Sequence, residues 1–183
     1  MLWEILLVIL VVLVLIIIFI YNGLIKARNL VKNSWSQIDV QLKKRYDLVP
    51  NLVETVKGYA KHEQETLTKI TSLREQAMQA KDIKSTMKVN DQMSKAIGGL
   101  INAVVENYPD LKASQNFLML QEELAGIENK IAYARQFYND KVMDYNNKLQ
   151  VFPNNIFAKL FNFKEETFLE ALAEEKKNVK VSF

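Results

Sequence analysis

Residues 117–153, FLMLQEELAGIENKIAYARQFYNDKVMDYNNKLQVFP, carry the pattern that decides the fold. Phe117, Leu120, Leu124, Ile127, Ile131, Ala134, Tyr138, Val142, Tyr145, Leu149 and Phe152 recur at steps of three or four, the apolar stripe of an amphipathic helix. Glu122, Glu123, Glu128, Lys130, Arg135, Asp140, Lys141, Asp144 and Lys148 fall between them as a solvated face of mixed sign. The stripe makes about ten turns before Pro153, which cannot continue a helix. Such a helix buries its stripe only against partners of similar length, and the flanking sequence supplies them.

Upstream, Val31, Trp35, Ile38, Leu42, Tyr46, Val49, Val53, Val56 and Ala60 keep the same spacing, which persists through Leu67, Ile70, Leu73 and Ala77. Residues 24–77 read as one long helical segment. Pro50 removes a helical hydrogen bond, so a kink near Tyr46–Pro50 or a restart is expected; the unbroken apolar steps favour a kink. The spacing lapses over Lys81 to Ser85, where Asp82 or Ser85 can cap a new helix. Its stripe is Val89, Met93, Ile97, Leu100 and Val104, extended by Val105. Gly98-Gly99 within it reads as a close approach of a neighbouring helix, with a local break as the other reading. Tyr108-Pro109-Asp110 stops it. With five Gly and three Pro in 183 residues there is little turn material for an all-β fold. The expectation is an all-α chain, an antiparallel bundle of long amphipathic helices that associates sideways into a homo-oligomer.

At the N-terminal side, Ile5 to Tyr21 is seventeen residues without charge, proline or glycine. At 1.5 Å per residue this covers ~26 Å, close to a bilayer core of about 30 Å. Ile5, Leu10, Leu15 and Ile20 sample the lipid-facing run, and Trp3 and Tyr21 sit at its ends, where amphipathic rings prefer the interface. A cleaved secretory signal begins with basic residues and ends at a small-x-small site. Here the first ionisable side chain is Glu4 and Asn22-Gly23-Leu24-Ile25 follows the run, so it reads as a retained single-pass anchor. Lys26, Arg28 and Lys32 then precede any acid until Asp39, which predicts a cytoplasmic body and an outside N-terminus at the cell membrane. The chain thus divides into an anchor (1–25), a helical bundle (26–152) and an aromatic-rich C-terminal segment (153–183).

Six of the nine Phe fall between Phe152 and Phe183. A short amphipathic helix from Asn154 or Asn155 to Leu172 is expected. The five Lys and five Glu of the whole 153–183 segment balance, which favours docking on the bundle or a neighbouring subunit over the membrane interface. Catalytic inventory is thin. Cys is absent, and His62 is the single histidine, so His62-Glu63-Gln64-Glu65-Thr66 lacks the second ligand of a zinc-protease helix. No phosphate-binding glycine loop or nucleophile elbow occurs. A net charge of +3 with twenty Lys and four Arg does not form a nucleic-acid interface. Catalytic, cofactor and metal residues are therefore expected to be none. The candidate interaction residues are Trp35, Tyr46, Asp47, Tyr108, Tyr138, Phe157, Phe161 and Phe163. The tyrosines with adjacent carboxylates or amides read chiefly as buried networks that fix helix register, and alternatively as a polar ligand pocket. The partners expected are the lipid bilayer, further copies of the chain and other membrane proteins.

Ala27-Arg28-Asn29 and the block from Ser34 to Val53 (SWSQIDVQLKKRYDLVPNLV) closely resemble the LemA family. So do Glu106-Asn107-Tyr108-Pro109-Asp110-Leu111-Lys112-Ala113, Asn116-Phe117, Leu120 to Leu124, Glu128-Asn129, Ala134-Arg135, Tyr138-Asn139, Tyr145-Asn146 and Phe152-Pro153. The match runs from the anchor through Phe163. The resemblance implies a bacterial single-pass membrane protein with a cytoplasmic helical bundle and no established catalytic activity. A relative tied to magnetosome membrane formation offers membrane organisation as an analogy.

Overall fold

In the computed structural model, which describes residues 1–170, the chain is a set of helices with no strand among the described residues. The order is α1 (Leu2–Lys57), a single 3-10 turn (Lys61–Glu63), α2 (Gln64–Gln79), α3 (Ile83–Asn107), α4 (Pro109–Lys112), α5 (Gln115–Gln150) and α6 (Asn154–Leu160). Two compact units result. One is built from Met1–Gln37 and Ala134–Phe168, the other on Ile38–Tyr133.

In α1 the surface changes character along its length. From Leu2 to Phe19 nearly every apolar side chain is exposed, and the helix is long and apolar enough to cross a membrane. From Leu24 the burial becomes periodic: Leu24, Ala27 and Val31 in the first unit, then Ile38, Leu42, Val49, Leu52 and Val56 in the second. Each Val, Leu or Ile among them contributes about 1.5–3 kcal/mol on leaving water, which is what holds a stripe inward. Gly23 does not interrupt the helix.

Nor does Pro50. The residue has no N–H to give to the carbonyl four positions back, which is that of Tyr46. That carbonyl is not left empty, because Arg74 Nε of α2 donates to it at 2.8 Å. Pro50 itself is exposed, so its ring lies on the solvent side. A side chain from the next helix thus replaces the bond that proline removed, and α1 continues to Lys57.

The segment expected as one helix over 24–77 is divided at 58–63 into α1 and α2. Gly58, the poorest helix former after proline, follows the last turn, and no apolar position of the stripe falls between Ala60 and Leu67. Lys81–Ser85 separates α2 from α3 as expected, with Asp82 as the N-cap: its carboxylate accepts from Ser85 N at 2.9 Å. On α3 the buried stripe is Thr86, Asn90, Met93, Ile97, Leu100 and Val104, one position off the expected Val89, which is only half-buried. Gly98 and Gly99 are exposed and helical, and a Cβ at either would meet nothing within 4 Å. The close helix approach assigned to them is therefore absent, and so is the break.

Tyr108 ends α3, and α5 runs for 36 residues, the ten turns that its stripe required. Phe117, Leu124, Ile127, Ile131, Tyr138, Val142, Tyr145 and Leu149 are buried, but Phe152 lies past the helix and is exposed. The C-terminal helix is shorter than expected. It stops at Leu160, where Asn162 takes a left-handed conformation (φ 55°), Asn162 N–H bonds Lys159 O at 3.2 Å and Phe163 N–H bonds Ala158 O at 2.9 Å. This is a Schellman stop with asparagine in the glycine position. Residues 163–170 have no regular secondary structure, and the remainder of the expected helix, Ala171 and Leu172, lies outside the described residues.

Candidate functional site

Two clusters gather the candidate residues, one in each unit. In the unit built on Ile38–Tyr133, a polar hub joins α1, α3 and α5. Successive residues Arg45 and Tyr46 both fall on the buried edge of α1, with Arg45 only 2% exposed. Arg45 Nη1 donates to Ser94 Oγ and to Glu128 Oε2, each at 2.7 Å, and Nη2 donates to Asn90 O at 3.3 Å and to Asn90 Oδ1. Asn90 Nδ2 in turn donates to Tyr46 Oη at 2.6 Å and to Thr86 O at 2.8 Å. Ser94 Oγ donates to Glu128 Oε1 at 2.9 Å.

The guanidinium is thus desolvated and repaid by one carboxylate and three neutral acceptors, the condition under which a buried charge is tolerated. Glu128 is 41% exposed, so the pair is open to water at the carboxylate end. Burial raises the Tyr46 phenol above its ordinary value, against smaller opposite effects of the Asn90 bond and the Arg45 charge. Above the hub lies a half-open groove of about 500 Å³ between α3 and α5, lined among others by Ser94, Gly98, Gly99, Gln121, Leu124 and Ala125. Gly98 and Gly99 form part of its wall, where a Cβ would meet nothing within 4 Å.

In the other unit, α1, α5 and the chain after α5 form an aromatic and amide clip. Tyr21 packs edge-on against Phe161 (5.1 Å between centroids) and Phe163 (5.8 Å). The Arg28 guanidinium lies 5.2 Å from the Phe163 ring centroid, and Trp35 meets Tyr138 edge-on at 6.1 Å. The irregular stretch after α6 is held by side chains of α5. Asn146 accepts from Glu166 N–H at 3.0 Å and donates to Glu166 O at 2.9 Å, while Tyr138 Oη donates to Thr167 O at 3.2 Å. Gln150 Nε2 donates to Glu165 Oε1 at 2.8 Å. Burial pushes the Tyr138 and Tyr145 phenols up; Glu166 adds to it in both, and the Arg28 charge opposes it at Tyr145.

Of the expected residues, Tyr46 belongs to the hub and Trp35, Tyr138, Phe161 and Phe163 to the clip. Phe157 is half-buried on α6, beside the buried Ala158. Asp47 is exposed and joins neither cluster, and Tyr108 is half-buried at the α3–α4 junction, where its backbone N–H bonds Val104 O at 3.0 Å. The carboxylates beside these tyrosines, Asp47, Glu106 and Asp140, are exposed. Ile5, Leu10, Leu15 and Trp3 are exposed, Ile20 is buried, and Tyr21 is partly covered by the clip. Lys26 and Lys32 are exposed, while Arg28 is half-buried under Phe163. His62 is exposed, and no group of three or more His, Asp or Glu able to hold a metal occurs among the described residues.

Sequence reasoning missed Arg45, Asn90, Ser94, Glu128 and Asn146. Asn90 had a signal. Counting back from Met93 by three and from Ile97 by seven reaches position 90, so a polar residue occupies a stripe position and must find a buried partner. Arg45 had a weaker one, a lone arginine among lysines on the edge of the stripe.

The LemA family profile matches residues 34–183. The chain is also similar to a protein named LemA from Metamycoplasma hominis, 29% identical over 162 residues, covering 88% of this chain and 74% of that one.

Proposed function

This chain belongs to the LemA family, and we propose that it is a non-enzymatic membrane-anchored scaffold that self-associates and docks partners at the cytoplasmic face of the cell membrane. One observation carries the reading: the exposed apolar run and the buried stripe of Leu24, Ala27 and Val31 belong to one uninterrupted helix. Among the described residues nearly all of the apolar surface of residues 5–19 is without protein cover, and lipid is the solvent that accepts it without cost. Because the helix does not break at Gly23, the anchor is a structural member of the clip and not a tether. Lys26, Arg28 and Lys32 support an outside N-terminus.

A scaffold needs surface more than chemistry, and this chain offers that. Leu118, Met119, Tyr133, Phe137 and Met143 are exposed along α5. The buried charge that borders the α3–α5 groove is already neutralised by Glu128, which weighs against that groove as a catalytic site. Mass photometry of the detergent-solubilised full chain tests self-association. Dimers or larger species growing with concentration are expected, and monomer alone across a wide range contradicts it. Thiol labelling of single cysteines at positions 2 and 140 in intact cells tests orientation, with only the first accessible from outside.

A further inference from the structure

The structure points to a second membrane contact. We propose that α6 and the turn before it lie in the headgroup layer of the bilayer, as an apolar collar beside the point where α1 leaves the lipid. The inference rests on the reading of residues 5–21 as a membrane span.

The first argument is height. Tyr21 ends the uncharged run, and its ring touches those of Phe161 and Phe163. The second is the path of the chain. Tyr138 of α5 meets Trp35 of α1, and Gln150 at the end of α5 bonds Glu165, two residues from the Phe163 that touches Tyr21. From Trp35 back to Tyr21 is about 21 Å of helix, and from Tyr138 on to Gln150 about 18 Å, so α5 returns to the level of Tyr21 before it ends. Residues after α6 then lead away again, since Glu165, Glu166 and Thr167 bond Gln150, Asn146 and Tyr138 in turn. The turn and α6 are therefore the part of this unit nearest the end of the span.

The third argument is what this end displays. Phe152 is 78% exposed, Ile156 55%, Leu160 71% and Phe161 41%, four large apolar side chains within ten residues. Inside the unit the small Ala158 is what α6 buries. Charge agrees. Between Asp144 and Glu165 the charged side chains are Lys148, Lys159 and Lys164, all exposed, with no Asp or Glu. Although the tail as a whole is balanced, this stretch is basic and apolar, the composition that suits an interface of acyl chains and anionic headgroups. Lysines there extend their stems along the apolar surface and hold the ammonium among phosphates.

The chain has no cysteine, so single cysteines can be placed in the full-length protein and labelled with a polarity-sensitive fluorophore. Leu160→Cys is the test position, Leu10→Cys reports the anchor, and Asp140→Cys reports α5 away from its end. Each is reconstituted into phosphatidylcholine–phosphatidylglycerol vesicles. Quenching by lipid carrying a nitroxide near the headgroup is compared with quenching by aqueous iodide. The expected result is several-fold stronger lipid quenching at 160 than at 140, with iodide quenching reversed. If 160 behaves like 140 while 10 stays lipid-quenched, the collar is overturned and the anchor stands. Shielding of 160 from both quenchers assigns the patch to another protein copy and also overturns it. Iodide quenching at 10 removes the anchor, and the collar with it.

Discussion

In the unit built on Ile38–Tyr133, buried polar side chains answer one another: Arg45, Asn90, Ser94 and Glu128 connect three helices through side-chain bonds. In the unit built from the two ends of the described chain, they answer main chain instead. Asn146 and Tyr138 hold the carbonyls and the one N–H of an irregular strip, Glu166 and Thr167, that no helix would satisfy. The difference follows from what each unit must pack. Helices satisfy most of their own backbone, so a polar residue between them turns chiefly to other side chains. A non-helical strip brings unpaired backbone groups, and an amide that both donates and accepts can satisfy two of them. The hub therefore fixes which helices pair, while the clip fixes where the chain after α5 lies.

Breaking the hub should have the largest effect. Arg45→Met removes the charge and leaves Asn90, Ser94 and a partly exposed Glu128 to find other partners, which should cost about 2–3 kcal/mol, less than the 3–5 of a fully enclosed pair. Urea unfolding in detergent, followed by far-ultraviolet circular dichroism, measures it. Asn146→Leu should cost about 1–2 kcal/mol through two lost bonds to Glu166. Hydrogen exchange should locate that loss: the Glu166 amide should lose protection while amides around Asn90 keep theirs. Global loss at both would mean that the clip is not a local device.

Arg74→Met should cost about 1 kcal/mol by emptying the Tyr46 carbonyl. In a Pro50→Ala background the restored N–H can take that carbonyl, so the same substitution should cost measurably less. Equal costs in the two backgrounds would show that Arg74 does not compensate for the proline.

The smallest effects are those of pH. The Tyr46, Tyr138 and Tyr145 phenols are raised by burial, so the folded chain holds these protons longer than the unfolded one. Their contribution is complete below the ordinary phenol value of about 10 and falls as pH rises beyond it. Asp82 is the reverse. Bonds from Ser85, side chain first and backbone second, lower its carboxyl, so its contribution is present above about pH 4 and is lost as pH falls through the lowered value. Asp82→Asn should flatten the acid limb slightly without moving the alkaline one, as read from thermal midpoints across pH.

How far the sequence reached depends on the kind of signal. Ten turns of unbroken spacing made α5 legible, and Pro153 and Asp82 marked boundaries by local backbone chemistry alone. The break after Lys57 was hidden because Val56, Ala60 and the stripe of α2 share one period, and only Gly58 and the gap before Leu67 betray it. Asn162 was missed because asparagine is the second choice for a left-handed cap. Gly98-Gly99 misled for the opposite reason: absent side chains are compatible both with close packing and with open space. The candidate site was read as aromatic, and the aromatic contacts of Tyr21, Trp35, Phe161 and Phe163 exist. Its polar partners lie far apart in sequence, Arg45 and Glu128 by 83 residues and Asn146 and Glu166 by 20, and apart from Asn90 on its stripe no local pattern marks them.

The most direct test of the account is hydrogen exchange across residues 19–32 of the full chain in lipid vesicles. Helical continuity between anchor and clip predicts uninterrupted protection through Gly23, with the Lys26 and Arg28 amides as slow as that of Val31. A fast-exchanging gap at 22–26 would make the anchor a tether and contradict the account.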